Sequence, residues 1–334
     1  MTGTVPAVFA RPSVLGEIQR PVREALDRVT GEMAQMVRAD LPLIQSVSGH
    51  LLQTRGKLFR PTLTLLCAAS DGRPDARAVQ LSAAIELMHL ATLVHDDSID
   101  HSVLRRGLPT VNTLFSHQVS VIMGDYLYSR ALMALVRLGD LDILRILTET
   151  SNDLSVGEIR QLSAVDRLGF GTAEYDLLIR AKTASLIAAA CESGALCGAE
   201  RHRAALRRYG DRLGMAFQIA DDILDYTEDE TTTGKPGGLD LLEHKVTLPL
   251  ILALPRLSAA GRSLVDALFA APTPDAAAVA DVIRVVSEAG GVDDARRRGL
   301  AFAAEAEESL SGVPDSPVRA ALGEAITYVL ERRS

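Results

Sequence analysis

Two short stretches set acids in a background that is otherwise apolar. In LVHDDSIDHSVLRRG, residues 93–107, Asp96, Asp97 and Asp100 are offset by one and four positions, and Arg105 and Arg106 follow at once. In GMAFQIADDILDY, residues 214–226, Asp221, Asp222 and Asp225 repeat that DDxxD spacing, with Gln218 one turn earlier. At about 100° per residue, a helix gathers Glu86, His89, Leu93, Asp96, Asp97 and Asp100 into an arc of roughly 100°. Ionised carboxylates in an apolar setting are costly without partners, so both stripes must look toward solvent or bound cations. Acids in this number suit a hard divalent ion. Mg2+ takes one or two carboxylates, keeps waters and completes its octahedron with phosphate oxygens, which favours a metal-bridged phosphate over an all-protein Ca2+ cage.

A phosphate ligand also needs protein cations. Arg105 and Arg106 can fork onto phosphate oxygens. Lys57 and Arg60 lie in GKLFRP, a Gly- and Pro-bounded break, and Lys182 in RAKTAS precedes a long apolar helix. Lys235 and Lys245 bracket the Gly-rich GKPGGLDLLEHK, a loop placed to close as a lid. A third acidic pair, Asp293 and Asp294 of GGVDDARRRG, serves as a control. Those acids open a helix with arginines three to five residues on, so dipole matching and surface pairing account for them without any catalytic role.

The elements that must position these groups are helices. The chain of 334 residues is 47% hydrophobic but only 4% aromatic, has no Trp, and is dominated by Ala and Leu, a composition that favours helix. Periodicity predicts helices over about 21–54, 61–70, 76–100, from about 113 to 138, 141–167, 172–197 and 202–226, then a polar loop over 227–245 and an Ala-rich helical tail. No alternating strand and no solenoid repeat is visible. We expect an all-α fold in one domain spanning 1–334, with 1–20 loosely packed. A net charge of −8 argues against a nucleic-acid partner. Cys67, Cys191 and Cys197 lie in apolar patterns without metal spacing and read as core residues of a cytoplasmic protein. Neither a secretory signal nor an uncharged bilayer-length run is expected.

The chain resembles the trans-isoprenyl diphosphate synthases, or polyprenyl synthetases, over roughly residues 40–250. GKLFRP, HDDSIDHSVLRRGLPT, GDYLYSRA, KTASL, AFQIADDILDY and GKPGGLDLLEHKVTLPL occur in that family's order. The resemblance implies a large isoprenoid-synthase helical bundle around a central cavity. It also implies head-to-tail condensation of isopentenyl diphosphate with an allylic diphosphate, farnesyl or geranyl. Asp96, Asp100 and Asp221 would then ligate Mg2+, about three ions with Mn2+ as a substitute, and Asp97, Asp222 and Asp225 would complete the metal site. Arg105, Lys182, Lys235 and Lys245 would hold the allylic diphosphate, and Lys57, Arg60, His89 and Arg106 isopentenyl diphosphate. Thr183 and Gln218 would face the developing carbocation.

Departures are His101, where an acidic residue is common, His244, where Gly often precedes the lysine, and RGKLFRP, which lacks the double glycine and first arginine. The small Ala91 and Thr92 before the first motif imply an open tunnel and a product longer than C15, with Met88 and Leu132 or Met133 as its floor. The family resemblance further implies a homodimer, and a long product implies transient membrane contact. Competing readings are a regulatory subunit of a heteromeric synthase, a terpene cyclase or head-to-head synthase, a di-iron bundle and a metal phosphohydrolase. The di-iron bundle needs a second Glu-x-x-His beside ELMH at 86–89, which the sequence does not contain.

Overall fold

In the computed structural model, residues 14–53, 56–163, 168–227 and 237–331 are described. Helices α1 (Val14–Gln19), α2 (Arg23–Met36) and α3 (Pro42–Gln53) lead into α4 (Phe59–Ala68). The long α5 (Arg77–Ile99) is followed by a short ladder of β1 (Leu104–Arg105) and β2 (Leu108–Pro109). Next come α6 (Val111–Leu114), α7 (His117–Leu138) and α8 (Leu141–Ser163). Then α9 (Thr172–Ile179) runs through a π-turn, Arg180–Ala184, into α10 (Ser185–Leu196).

The chain continues as α11 (Arg203–Thr227), α12 (Leu239–Leu242) and α13 (Leu248–Ala253). It ends with α14 (Ala259–Ala270), α15 (Ala276–Glu288), α16 (Gly291–Ser309) and α17 (Pro317–Leu330).

Helices α4, α5 and α10 are buried on nearly every side, as expected of helices that are apolar all round, and they pack on one another at the centre. Around them α7 and α2 cover α5, α8 and α11 cover α10, and α16 backs α11. The three cysteines are free and buried in this interior.

Several boundaries differ from the periodicity. The predicted 21–54 helix is two helices, because Pro42 fixes a new first turn after a break at 37–41. The helix expected near Thr113 begins at His117, where the Ser116 side chain accepts from Val119 N–H at 3.2 Å. Within the expected loosely packed 1–20 segment, Ile18 is fully buried, and the Gln19 amide donates to the Lys57 carbonyl at 3.0 Å. Asp293 and Asp294 do open α16, and each pairs with an arginine three residues on. Among the described residues two helices, α5 and α7, reach the length and mean apolarity of a bilayer span, but each carries charged side chains, Glu86 and Asp96 in α5 and Asp125 and Arg130 in α7, so neither is the uncharged run whose absence the sequence predicts. α5 is mostly enclosed by the bundle, whereas α7 keeps an open apolar face with Val121, Ile122 and Val136 exposed.

Candidate active site

The first acidic motif closes α5, and its three aspartates have separate surroundings. Asp97 is buried, and both its oxygens accept from Arg105 Nε at 2.9 Å, with Arg105 Nη2 at 2.8 Å from Oδ1. This carboxylate is taken by the protein's own cation, so Asp97 does not stand with Asp96 and Asp100 as an ion ligand. Asp96 is half-buried and Asp100 exposed. Burial pushes Asp96 up to about 6, against the pull of nearby Lys182 and with the repulsion of Glu158 and Asp100. Lys182 itself pairs with Glu158 Oε1 at 2.8 Å and donates to Gln161 Oε1 at 3.1 Å. Glu158 and Gln161, one turn apart on α8, therefore belong to this site although the sequence reading does not single them out. Their signal was the polar i,i+3 pair of GEIRQL.

The two arginines diverge because a hairpin separates them. Leu104 pairs with Pro109 and Arg105 with Leu108, leaving Arg106 and Gly107 as a two-residue turn with φ of 53° and 76°. Positive φ at both central positions is the type I′ turn that matches strand twist. Arg105, in the strand, is thereby aimed at Asp97. Arg106, in the turn, packs against Gly56, where a Cβ would lie 2.7 Å from its Nη2. Arg106 and Arg60 both act on His89 and Glu86 of α5. Burial, then these guanidiniums and Arg105, push the His89 imidazole well below its usual value, so it is neutral. Burial raises Glu86, and Arg60 and Arg106 oppose it. A second, basic cluster thus gathers Arg60, Arg106 and His89, and Lys57, three residues before Arg60, is exposed.

The second acidic motif lies on α11. Asp222 is buried and accepts from Tyr175 O–H at 2.5 Å on Oδ2 and from the Gln218 amide at 2.9 Å on Oδ1. Thr183 in the π-turn donates to Gln218 Oε1 at 2.7 Å. Thr183 and Gln218 are therefore bonded to each other, and Asp222 is turned into the protein rather than toward an ion. Burial pushes Asp222 up to about 8, reinforced by Asp240 and restrained by Tyr175 and Gln218. Asp225 accepts backbone N–H groups of Leu239 at 2.9 Å and Asp240 at 3.0 Å, fixing the start of α12. Asp221 is exposed. Asp240, another residue the sequence reading passes over, is pushed up to about 7 by burial and then by Asp225.

Lys245 links the motifs. Burial acts to lower it, but contact with Glu243 at 2.5 Å and the fields of Asp100 and Asp240 leave it raised. It therefore stands within electrostatic reach of the end of α5 and the start of α12. The preceding His244 takes a left-handed φ of 56°, which explains the glycine often found there, and its imidazole is held by the Ala271 carbonyl at 2.9 Å and by the ring of Phe269. His101, φ 51°, bonds His117 between ring nitrogens at 2.9 Å. Lys235 lies outside the described residues.

Among the described residues no three His, Cys, Asp or Glu side chains converge into a closed metal cage. The acids are instead hard oxygen donors whose crowding and burial raise Asp96 and Asp240. That excess negative charge fits a divalent ion completed by phosphate and water, which would pull both carboxyls down again.

Of the residues named for product length, Met88 and Ala91 are buried on α5, and Thr92 donates its hydroxyl to the His89 carbonyl at 2.8 Å. Leu132 is half-buried on α7. Met133 lies elsewhere than on a cavity floor: it is 44% exposed and lines an outer groove with Glu32, Gln80 and Arg137.

The polyprenyl synthetase family model matches residues 41–286. An all-trans-nonaprenyl-diphosphate synthase (geranyl-diphosphate specific) of Rhodobacter capsulatus is 36% identical over 318 residues, 95% of this chain and 97% of that protein. A short chain isoprenyl diphosphate synthase of Methanothermobacter thermautotrophicus is 34% identical, covering 93% of this chain and 94% of that one. A crystal structure of polyprenyl synthase from Caulobacter crescentus CB15, complexed with calcium and isoprenyl diphosphate, superposes with TM-score 0.90 at 32% identity, over 97% of this chain and 100% of that one. With its two acidic helix faces, its separate basic cluster and these relatives along nearly its whole length, the chain belongs to the polyprenyl synthetase family.

Proposed function

We propose that this protein catalyses the Mg2+-dependent head-to-tail condensation of isopentenyl diphosphate with an allylic diphosphate to give a trans-polyprenyl diphosphate longer than C15. The observation that carries the reading is the presence of two anion sites of opposite make. One is lined by acids and needs divalent ions to hold a diphosphate. The other, Arg60, Arg106 and His89, would bind a diphosphate without metal. A terpene cyclase, with one diphosphate substrate, has no use for the second.

Mg2+ when bound supplies charge neutralisation for the leaving diphosphate. Asp96, Asp100 and Asp221 are the carboxylates that would hold it, while Lys182 and Lys245 add cations nearby. Arg105, anchored on Asp97, presents its outer edge to the same diphosphate. The hydroxyl of Thr183 and the carbonyl of Gln218 place oxygen dipoles beside the π-turn, where an allylic cation would be stabilised. The buried α4, α5 and α10 exclude water that would quench it. Farnesyl or geranyl diphosphate fits as the primer.

Long-chain and short-chain relatives align at similar identity, 36% and 34%, so product length is argued from this chain's own residues. Ala91 and Thr92 are small at positions where a bulky side chain would block a growing tail. The exposed face of α7 and α8, with Ile122 at 65%, Ile159 at 62% and Leu162 at 68% exposure, supports a homodimer through that surface.

The test is incubation of purified protein with Mg2+, isopentenyl diphosphate and C5, C10, C15 or C20 primers, followed by sizing of products. Failure to elongate any primer refutes the function. Ala91→Phe is expected to shorten the product, and unchanged length refutes the tunnel reading. Ile122→Asp with Ile159→Asp is expected to yield a monomer in sedimentation; a persistent dimer refutes the face.

A further inference from the structure

Tyr175 is buried on α9, and no step of the proposed reaction uses its hydroxyl directly. It nevertheless ends a continuous chain of hydrogen bonds. Thr183 donates to Gln218 Oε1 at 2.7 Å, Gln218 Nε2 to Asp222 Oδ1 at 2.9 Å, and Tyr175 to Asp222 Oδ2 at 2.5 Å. Two residues before α10 thus clamp two residues one turn apart on α11. Asp222 follows Asp221 directly, and about 100° of helix rotation separates them. Holding one inward fixes the other outward.

We propose that Tyr175 is a positioning residue for the second acidic motif: by holding Asp222 inward, it keeps that carboxylate off the ion site and sets Asp221 toward it. The inference rests on the proposed diphosphate–metal reading of that site. Without the hydroxyl, Oδ2 of Asp222 would be buried with no donor, an arrangement that proteins avoid. The carboxylate would then turn toward water or an ion and release Gln218 and Thr183 with it.

The experiment uses the full-length protein with Tyr175→Phe, which keeps the ring and removes only the hydroxyl. Mn2+ binding in the presence of inorganic pyrophosphate is read by electron paramagnetic resonance, so the measurement needs no turnover. Affinity is expected to fall about tenfold, the scale of one buried hydrogen bond whose acceptor is left unsatisfied. In steady-state kinetics the half-saturating Mg2+ and the allylic KM rise together, while the KM for isopentenyl diphosphate stays within twofold. The double variant with Asp222→Asn is expected to be no worse than Asp222→Asn alone, because Tyr175 acts through that carboxylate.

Unchanged Mn2+ affinity with a lowered melting temperature would show Tyr175 to be a packing residue only and overturn the proposal. An equal rise in both KM values, or additive losses in the double variant, would overturn it as well. If Tyr175→Phe folds poorly, Asp222→Asn alone decides between the assignments: a loss of Mn2+ affinity as large as that from Asp221→Asn makes Asp222 a ligand and sinks the idea. Should the wild type fail to elongate any primer, the Mn2+–pyrophosphate arm still tests Tyr175 separately from the reaction.

Discussion

Replacing Asp96 by asparagine is expected to stabilise the metal-free protein while removing turnover. Burial, against Lys182 and with Glu158 and Asp100, lifts this carboxyl from 3.8 to about 6 in the folded chain. A shift of about two units corresponds to about 3 kcal/mol, and partial exposure reduces that to about 2 kcal/mol. The sign follows from linkage. The folded state holds the proton more tightly than the unfolded chain, so stability is greatest at low pH and falls as pH rises from about 4 to about 6. Above that range the wild type carries the full penalty and asparagine carries none. Asp240 and Asp222, raised to about 7 and about 8, extend the falling limb in both proteins alike. At roughly 2 °C per kcal/mol for a chain of this size, Asp96→Asn in EDTA melts about 4 °C above wild type at pH 7.5, and the curves converge only below about pH 4, under the unfolded value. Adding Mn2+ and pyrophosphate reverses the order, because the wild type alone recovers its ligand. The assay is a melting curve at each pH with and without metal. An asparagine variant equal to or below wild type in EDTA at pH 7.5 would refute the account of Asp96 as a charge held against its own environment.

Arg105→Ala leaves Asp97 buried without its guanidinium, and loss of about 3 kcal/mol of folding stability is expected in denaturant titration, with Arg105→Lys recovering only part of it because it lacks the fork. Gly124→Ala drives a Cβ into the His95 ring where α7 meets α5. A destabilisation of about 2 kcal/mol is expected. Pairing it with His95→Ala returns most of that loss, and equal melting temperatures for Gly124→Ala and wild type would show that the two helices have room to part.

What the sequence discloses and what it hides divide along physical lines. The DDxxD spacing and the surrounding apolar run placed both acidic faces on long helices, and α5 and α11 lie within a few residues of the expected ranges. Periodicity could not tell one acid from its neighbour. Asp96 and Asp97 differ in whether Arg105 reaches them, and that depends on a hairpin of two-residue strands too short to alternate. The π-turn was hidden for a similar reason. An extra residue per turn leaves composition and apolar fraction unchanged, so 172–197 reads as one helix. Tyr175, Glu158 and Asp240 were missed because each acts through a contact distant in the chain. Tyr175 is 47 positions from Asp222, and its aromatic ring reads as core, which it also is.

The four non-glycine residues with positive φ among the described residues show how this fold divides its work. Leu58, His101, Arg106 and His244 lie respectively in the GKLFRP break, after the first acidic motif, in the arginine turn and beside Lys245. A left-handed residue other than glycine costs on the order of 1 kcal/mol or more and persists only where its surroundings hold it there. Here the surroundings are identifiable for three of the four. Gly56 receives Arg106, His117 receives His101, and Phe269 with the Ala271 carbonyl receives His244. Each strained residue adjoins a charged group of the site, Lys57, Asp100, Arg105 or Lys245. Helical segments bury and align the acids and also carry Arg60 and Lys182, whereas Lys57, Arg105, Arg106 and Lys245 come from the connections between helices, and the strain is concentrated there.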